Sequence, residues 1–145
     1  MSEEIIEEAG LGAAKEIPED VSNEKVWQAL LIKIKQPNLF LPVSDIVTRP
    51  SDDAIGTYRE MSLGPRRIIE NIYTDDSIFE VKFVVTNDPT EHVNIIHTDA
   101  STGKRTLEFY LRDKTTKERL LWHVPKHVAL GGIQKVIEMA ATFSS

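Results

Sequence analysis

The chain has 145 residues, of which 41% are hydrophobic and 28% are charged, as in an ordinary soluble domain. Its formal net charge of −6 argues against non-specific nucleic-acid binding, which needs clustered lysine and arginine. Its apolar runs are too short to cross a bilayer, and its acidic start is unlike a secretory signal. Because cysteine is absent, disulfide and thiolate chemistry are excluded. We therefore expect a cytoplasmic protein.

The first third of the chain predicts a strand and a helix. Residues 1–10 are predicted to form an acidic tail, and residues 11–145 a single domain. Leu11–Ile17 is a candidate strand, and Ser22 is a favourable N-cap for a following helix. Pro37 ends that helix and introduces a short helical bend. The buried face of the helix before Pro37 is predicted by apolar residues at helical spacing, namely Val26, Trp27, Leu30, Leu31 and Ile34.

The middle of the chain predicts an antiparallel meander. Six segments have the composition of strands and are separated by turn-forming residues: Val43–Arg49, Ile55–Leu63, Arg66–Tyr73, Ile78–Thr86, Glu91–Thr98 and Arg105–Arg112. Their close spacing favours hairpins over parallel units with intervening helices. Alternation within residues 78–86 places Phe79, Val81, Phe83 and Val85 on one face. One side of the sheet is therefore expected to be buried.

The end of the chain predicts a long helix. Residues 115–124 fit either a helix or a last strand, and Pro125 suits the first position of the helix that follows. The glycine pair Gly131-Gly132 predicts a bend or the close approach of another element. The apolar stripe of this helix consists of Ala129, Ile133, Val136, Ile137 and Ala140.

A family resemblance extends over roughly residues 11–112. Its motifs are Val26-Trp27, Leu30, Lys33, Pro37, Phe40, Pro42, Arg59-Glu60, Gly64-Pro65 and Glu70. In this order they resemble the acetylaranotin biosynthesis cluster protein L-like (AtaL-like) family of the START/SRPBCC superfamily. The resemblance implies an α+β helix-grip fold, in which a curved antiparallel sheet of about six to seven strands surrounds a long C-terminal helix. It also implies a hydrophobic cavity for a small molecule, and it implies no particular reaction.

The hairpin around Gly64-Pro65 gives the sharpest local prediction. If these two residues form the loop, Arg59 faces Glu70, and the flanking cross-strand pairs are Leu63 with Arg66, Met61 with Ile68, and Thr57 with Ile72. On the inner face, the Arg59–Glu70 pair would anchor a polar ligand group in an apolar pocket. On the outer face, it would be an ordinary exposed salt bridge. The ligand interpretation predicts that Arg59→Ala removes binding and leaves the fold largely intact.

Other candidate residues follow from the same faces. The residues predicted to line the cavity are Arg59, Met61, Ile68, Glu70, Phe79, Phe83 and Ile133. The candidate catalytic groups are Arg59, Glu70 and His97, because His97 shares strand parity with apolar neighbours and would then point inward. Pro125 separates His123 from His127, and no carboxylate stands at a convincing third-ligand spacing, so no metal site is expected. The sequence has no phosphate-cradling glycine loop, and no cofactor is expected.

Three functions fit these observations. The first is binding of a small hydrophobic or aromatic molecule between the sheet and the C-terminal helix, in polyketide-like secondary metabolism. The second is a cofactor-independent cyclase, isomerase or dehydratase acting in the same cavity. The third is a protein-interaction module. The expected partner is a small hydrophobic molecule, with no nucleic acid and no membrane insertion. An open sheet edge would also allow a homodimer.

Overall fold

The computed structural model describes residues 8–143 as ten strands, two α-helices and one short 3₁₀ helix. The helices are α1 (Asn23–Lys35), the 3₁₀ turn Pro37–Leu39, and α2 (Lys126–Ala141). The strands are β1 (Glu8–Gly10), β2 (Ala13–Glu16), β3 (Ser44–Pro50), β4 (Thr57–Leu63), β5 (Arg66–Asp75), β6 (Glu80–Val85), β7 (Thr90–Thr98), β8 (Arg105–Asp113), β9 (Arg119–Leu120) and β10 (Trp122–Pro125).

Eight strands form one antiparallel sheet, in the order β2-β8-β7-β6-β5-β4-β3, with β9 also paired to β8. Helix α2 packs against both α1 and the sheet. The predicted α+β architecture is therefore confirmed. The sheet exceeds the predicted six to seven strands because β9 forms within residues 115–124, a segment that the sequence left open between helix and strand.

The first described residues belong to the fold. Strand β1 pairs with β10 in a second, two-stranded sheet, and Ala9 is buried. Glu8–Gly10 are therefore part of the folded domain, although the sequence predicted a tail up to residue 10. The rest of that predicted tail, residues 1–7, lies outside the described residues.

Local chemistry explains where the main elements begin. Ser22 caps α1 by accepting a hydrogen bond from the Lys25 backbone at 3.2 Å, as its position predicted. Strand β4 begins at Thr57 and not at Ile55, because Gly56 lies in the preceding turn. A Cβ atom on Gly56 would come within 2.4 Å of the Ile72 carbonyl oxygen. Only glycine fits that close approach.

Helix α2 is uninterrupted across its glycine pair. The ring of Phe109 lies 3.5 Å from the position that a Cβ atom on Gly132 would occupy, so the sheet approaches the helix there. Ala129, Ile133, Val136, Ile137 and Ala140 are buried, as the predicted stripe required. Among residues 8–143, no helix combines the length and hydropathy that a membrane span requires.

Candidate functional site

The predicted hairpin register is confirmed. Strands β4 and β5 pair so that Arg59 lies opposite Glu70, and the three predicted flanking pairs are also present. The two-residue loop at Gly64-Pro65 fixes this register, because a shift of one residue would send every side chain to the other face. The sheet therefore presents Arg59 and Glu70 together on one face.

That face is the inner one, covered by α1. Arg59 is 3% exposed and Glu70 is 5% exposed, so the exposed salt-bridge alternative does not apply. Arg59 donates through Nε to Glu70 Oε1 at 3.0 Å and forms a second bond through Nη2 to the same oxygen. Two charge-assisted hydrogen bonds thus hold the pair inside the protein.

Arg59 also binds the end of α1. Its Nη1 atom donates to the carbonyl oxygens of Lys33 and Ile34, both at 3.1 Å. The last carbonyls of a helix have no partner within the helix and carry partial negative charge. Arg59 therefore caps α1 as well as pairing with Glu70, which is a larger role in the fold than the Arg59→Ala prediction assumed.

Lys33 brings a second cation to this interior. Its Nζ atom donates to Asn94 Oδ1 at 2.9 Å and lies 4.2 Å from the centre of the Phe109 ring and 5.3 Å from that of Phe83. Burial, followed by the nearby charge of Arg59, lowers the pKa of Lys33 from 10.5 to about 7, although Glu70 acts in the opposite direction. The amine is therefore close to half protonated at neutral pH.

His92 borders the same cluster. It lies opposite Phe83 across the β6–β7 pair, two positions before Asn94, and its ring makes an edge contact with Trp122 at 5.9 Å. Burial lowers the pKa of His92, and the charge of Lys33 lowers it further, while Glu70 opposes both. His92 is therefore expected to be neutral at pH 7. We call Lys33, Arg59, Glu70, His92 and Asn94 the inner cluster.

The remaining predicted site residues have different positions. Met61, Phe83 and Ile133 are buried in the interior, and Ile68 is half-buried on the inner face. Phe79 precedes β6 in a left-handed backbone conformation, with φ 53°, and its ring contacts Trp27 at 5.7 Å between centres. It therefore packs near the N-terminal half of α1 and does not join the inner cluster.

The expectation that His97 points inward is wrong. Its side chain is 46% exposed and its Nε2 atom lies 2.9 Å from Glu108 Oε1, on the outer face. The residues of β7 that face inward are His92, Asn94 and Ile96. Both faces of this strand are buried, with Val93 fully covered on the outer side, so strand parity did not identify the inner face.

Sequence reasoning missed Lys33, His92 and Asn94 as site residues. Lys33 has a usable signal, because it follows Ala29 by four positions and Leu30 by three and so lies on the buried face of α1. A lysine on an apolar helical stripe is uncommon unless its charge has a function or a partner. His92 and Asn94 have no comparable signal, because their face of β7 also carries Thr90 and Thr98 and has Ile96 as its one apolar residue.

The inner face is closed at one end and partly open at the other. Towards the N-terminus of α1, its apolar residues are fully buried, namely Ile72, Val81, Ile96 and Leu107. Towards the β4–β5 and β6–β7 turns, they keep partial exposure, namely Leu63, Ile68, Val85 and Leu111. Trp122 is half-buried and contacts His92, which lies opposite Leu111. The inner cluster lies between the two ends, where polar groups meet accessible apolar surface.

A recess of about 390 Å³ lies elsewhere on the protein. It is lined by Ile55, Tyr73, Thr74, Asp75, Glu80 and Lys82, none of which belongs to the inner cluster. Within residues 8–143, no group of three or more histidine, aspartate or glutamate side chains is placed to hold a metal ion. We take the inner cluster as the candidate site, because it brings buried polar and charged side chains together on the inner face of the sheet.

Comparison with known proteins shows the fold and no function. No protein-family profile and no curated protein matches the chain. Among solved structures, TTHA0849 from Thermus thermophilus superposes with a TM-score of 0.59 at 10% identity, covering 92% of this chain and 98% of that one. XoxI from Bacillus cereus gives 0.49 at 15% identity, covering 89% and 90%. An uncharacterised Bacillus thuringiensis protein gives 0.47 at 16%, covering 90% and 91%. The likeness to TTHA0849 is one of fold alone.

Proposed function

We propose that this protein binds a small, mainly apolar molecule that carries an electron-rich oxygen, with that oxygen directed at the inner cluster. One observation carries the proposal: Glu70 is paired with Arg59, and the nearby amine of Lys33 has no ion pair in the described part of the chain, so the cluster carries excess positive charge when Lys33 is protonated. A carboxylate, phenolate or enolate oxygen would supply the missing negative charge, and a carbonyl oxygen would accept a hydrogen bond from the same groups. Buried clusters that carry uncompensated charge are more typical of functional sites than of structural cores.

The apolar body of the ligand has a matching surface. Leu63, Ile68, Val85 and Leu111 face inward and keep partial exposure, next to Trp122. A pocket lined mainly by apolar side chains with a few polar groups is the usual form of a small-molecule site. The resemblance to the AtaL-like family extends the proposal to an aromatic, polyketide-like ligand of secondary metabolism.

The inner cluster also makes the affinity for an anionic ligand depend on pH. A bound anionic oxygen stabilises the charged form of Lys33, so affinity for an anion is expected to fall as pH rises through the Lys33 pKa of about 7. The half-buried Trp122, which contacts His92, gives a fluorescent reporter close to the site. The other tryptophan, Trp27, contacts Phe79 near the N-terminal half of α1.

Fluorescence titration with three naphthalenes tests this proposal. 1-Naphthoate and 1-naphthol carry the oxygen, and 1-methylnaphthalene lacks it. We expect quenching of Trp122 by the first two, and a loss of affinity for naphthoate of about tenfold or more in Lys33→Met, the size of one lost charge-assisted bond. Lys35→Met, on the exposed side of the same helix, is the matched control. Equal affinity for all three probes, or an unchanged affinity in Lys33→Met, would contradict the proposal.

A further inference from the structure

We propose that the Lys33 amine is a nucleophile that forms an imine with an aldehyde or ketone. This inference rests on the proposed function, because it places the carbonyl group of the ligand at the inner cluster. It adds the formation of a covalent bond to the ligand, and it limits the substrate class to aldehydes and ketones.

Among the described residues, the groups around Lys33 leave its amine without an ion pair. Among residues 8–143, the only hydrogen bond that Nζ donates goes to the neutral amide oxygen of Asn94, and Nζ forms no ion pair. The rings of Phe109 and Phe83 occupy the adjoining sides. Glu70, the nearest acidic partner by charge, is engaged by Arg59 through two bonds to one oxygen. Within the described part of the chain, no carboxylate therefore forms an ion pair with Lys33, and burial outweighs the charge of Glu70, which favours the ammonium form.

Three other lysines of the chain differ from Lys33 in their partners or their exposure. Lys117 donates to the carboxylate of Glu91 at 2.8 Å, and Lys135 donates to the carbonyl oxygen of Phe40 at 3.1 Å. Lys35 is exposed on α1, two positions after Lys33. An apolar setting with a neighbouring cation is the arrangement that activates a lysine amine towards carbonyl groups. Lys33 meets both conditions, since it lies between two phenyl rings and close to Arg59.

The groups facing Lys33 fit the proton changes of such a step. They are Arg59 on β4, Glu70 on β5, and His92 and Asn94 on β7. The amine nitrogen attacks the carbonyl carbon, and after loss of the oxygen a C=N double bond replaces the C=O double bond. Both amine hydrogens leave with the carbonyl oxygen as water, so no oxidant, reductant or cofactor is needed. His92, neutral and half-buried, is the group placed to relay protons between this interior and solvent.

Reductive trapping on the full chain tests the inference. The protein is incubated at pH 7 with cyanoborohydride and either formaldehyde, which has almost no size barrier, or 1-naphthaldehyde. Peptide mass spectrometry then locates each modified amine. Because an ordinary exposed lysine is almost wholly protonated at pH 7, we expect Lys33 to be modified at least about tenfold faster than Lys35 with both aldehydes. Its rate should level off above pH 7, whereas that of Lys35 should keep rising.

Two outcomes would overturn the inference. One is modification of Lys33 no faster than of Lys35 by formaldehyde; the other is a naphthaldehyde adduct spread evenly over exposed lysines. Lys33→Arg keeps a cation at the position and should lose only the fast adduct. If naphthoate binds but Lys33 is not trapped, the imine is wrong and the proposed function stands. If naphthoate does not bind either, both fail.

Discussion

The protein holds two clusters of charge, one on each face of its sheet, and they differ in balance. The outer cluster joins Arg112 and Lys117 to Glu80 and Glu91, with two cations and two carboxylates. In the inner cluster, Glu70 is the one carboxylate and pairs with Arg59, while Lys33 donates to the neutral side chain of Asn94. The outer arrangement is balanced in charge, although the buried Nε atom of Arg112 has no hydrogen-bond partner among the described residues. The inner arrangement keeps an excess cation in a less hydrated place, where charge is most costly.

The pKa values show the same difference. Burial raises the pKa of Glu91, but hydrogen bonds from Lys117 and Arg112 lower it by more, so the net shift is downward and the carboxylate remains charged. The pKa of Lys33 moves towards neutrality because burial outweighs the help that Glu70 gives. Matched charges thus keep the outer cluster ionised, while unmatched charge makes the inner cluster responsive to pH and to a ligand. Three predictions test this contrast.

The largest effect is expected for Arg59→Met. This change leaves the buried carboxylate of Glu70 without its cation and two carbonyls of α1 without a donor. The loss of unfolding free energy should be about 3–5 kcal/mol at pH 7, measured by urea denaturation followed by circular dichroism. Arg49→Met removes an exposed ion pair with Asp52 and should cost about 1 kcal/mol or less. Equal losses in the two variants would show that burial of the inner pair has no energetic consequence.

The sequence could predict the pairing of Arg59 with Glu70 but not its capping of α1. A two-residue loop fixes the register between neighbouring strands, and that information is local to the Gly64-Pro65 hairpin. The bonds from Arg59 to Lys33 and Ile34 join residues that are 26 and 25 positions apart, and they depend on how α1 lies across the sheet. Periodicity shows that a helix has a buried face, but it does not show which part of the sheet that face covers.

The error at His97 has a related cause. Alternation identifies two sets of residues on a strand, and it identifies the inner set only when the other set is polar. On β7 both sets contain buried apolar residues, Val93 on one side and Ile96 on the other. The short outer strand β9 and its loop add charged groups over that side, including Arg119, which binds Glu108. No pattern within residues 90–98 reveals this cover.

An intermediate effect, with a distinct pH dependence, is expected for Lys33→Met. The folded-state pKa of Lys33 is about 7 and the ordinary value is 10.5, so the folded state binds fewer protons between these values. Wild-type stability should therefore rise relative to the variant as pH increases from about 7 towards 10. We expect a relative gain of about 1–3 kcal/mol between pH 6 and 9, from urea denaturation at each pH. Lys35→Met should follow the wild type. A constant difference between wild type and Lys33→Met would mean that Lys33 titrates normally.

The smallest effect is expected for Glu91→Gln in the outer cluster. Glutamine keeps the shape and the hydrogen-bond acceptor but removes the charge that Arg112 and Lys117 share. The variant should lose about 1–2 kcal/mol of unfolding free energy at pH 7, because hydrogen bonds to a charged group become neutral ones. The folded-state pKa of Glu91 is depressed, so the contribution of its charge is complete above the ordinary value and is lost as pH falls through the folded value. The difference from wild type should therefore shrink on acidification.

Ligand measurements on the same variant complete the comparison. Glu91→Gln should leave naphthoate affinity and the trapping rate of Lys33 unchanged, because the outer cluster lies on the opposite face of the sheet. Lys33→Met should abolish trapping and weaken naphthoate binding. It should also remove the pH-dependent cost that Lys33 imposes on the stability of the fold. If Glu91→Gln weakened naphthoate binding as strongly as Lys33→Met does, charge balance would not separate a structural cluster from a functional one. The excess cation at Lys33 would then be a feature of the core and not the basis of a site.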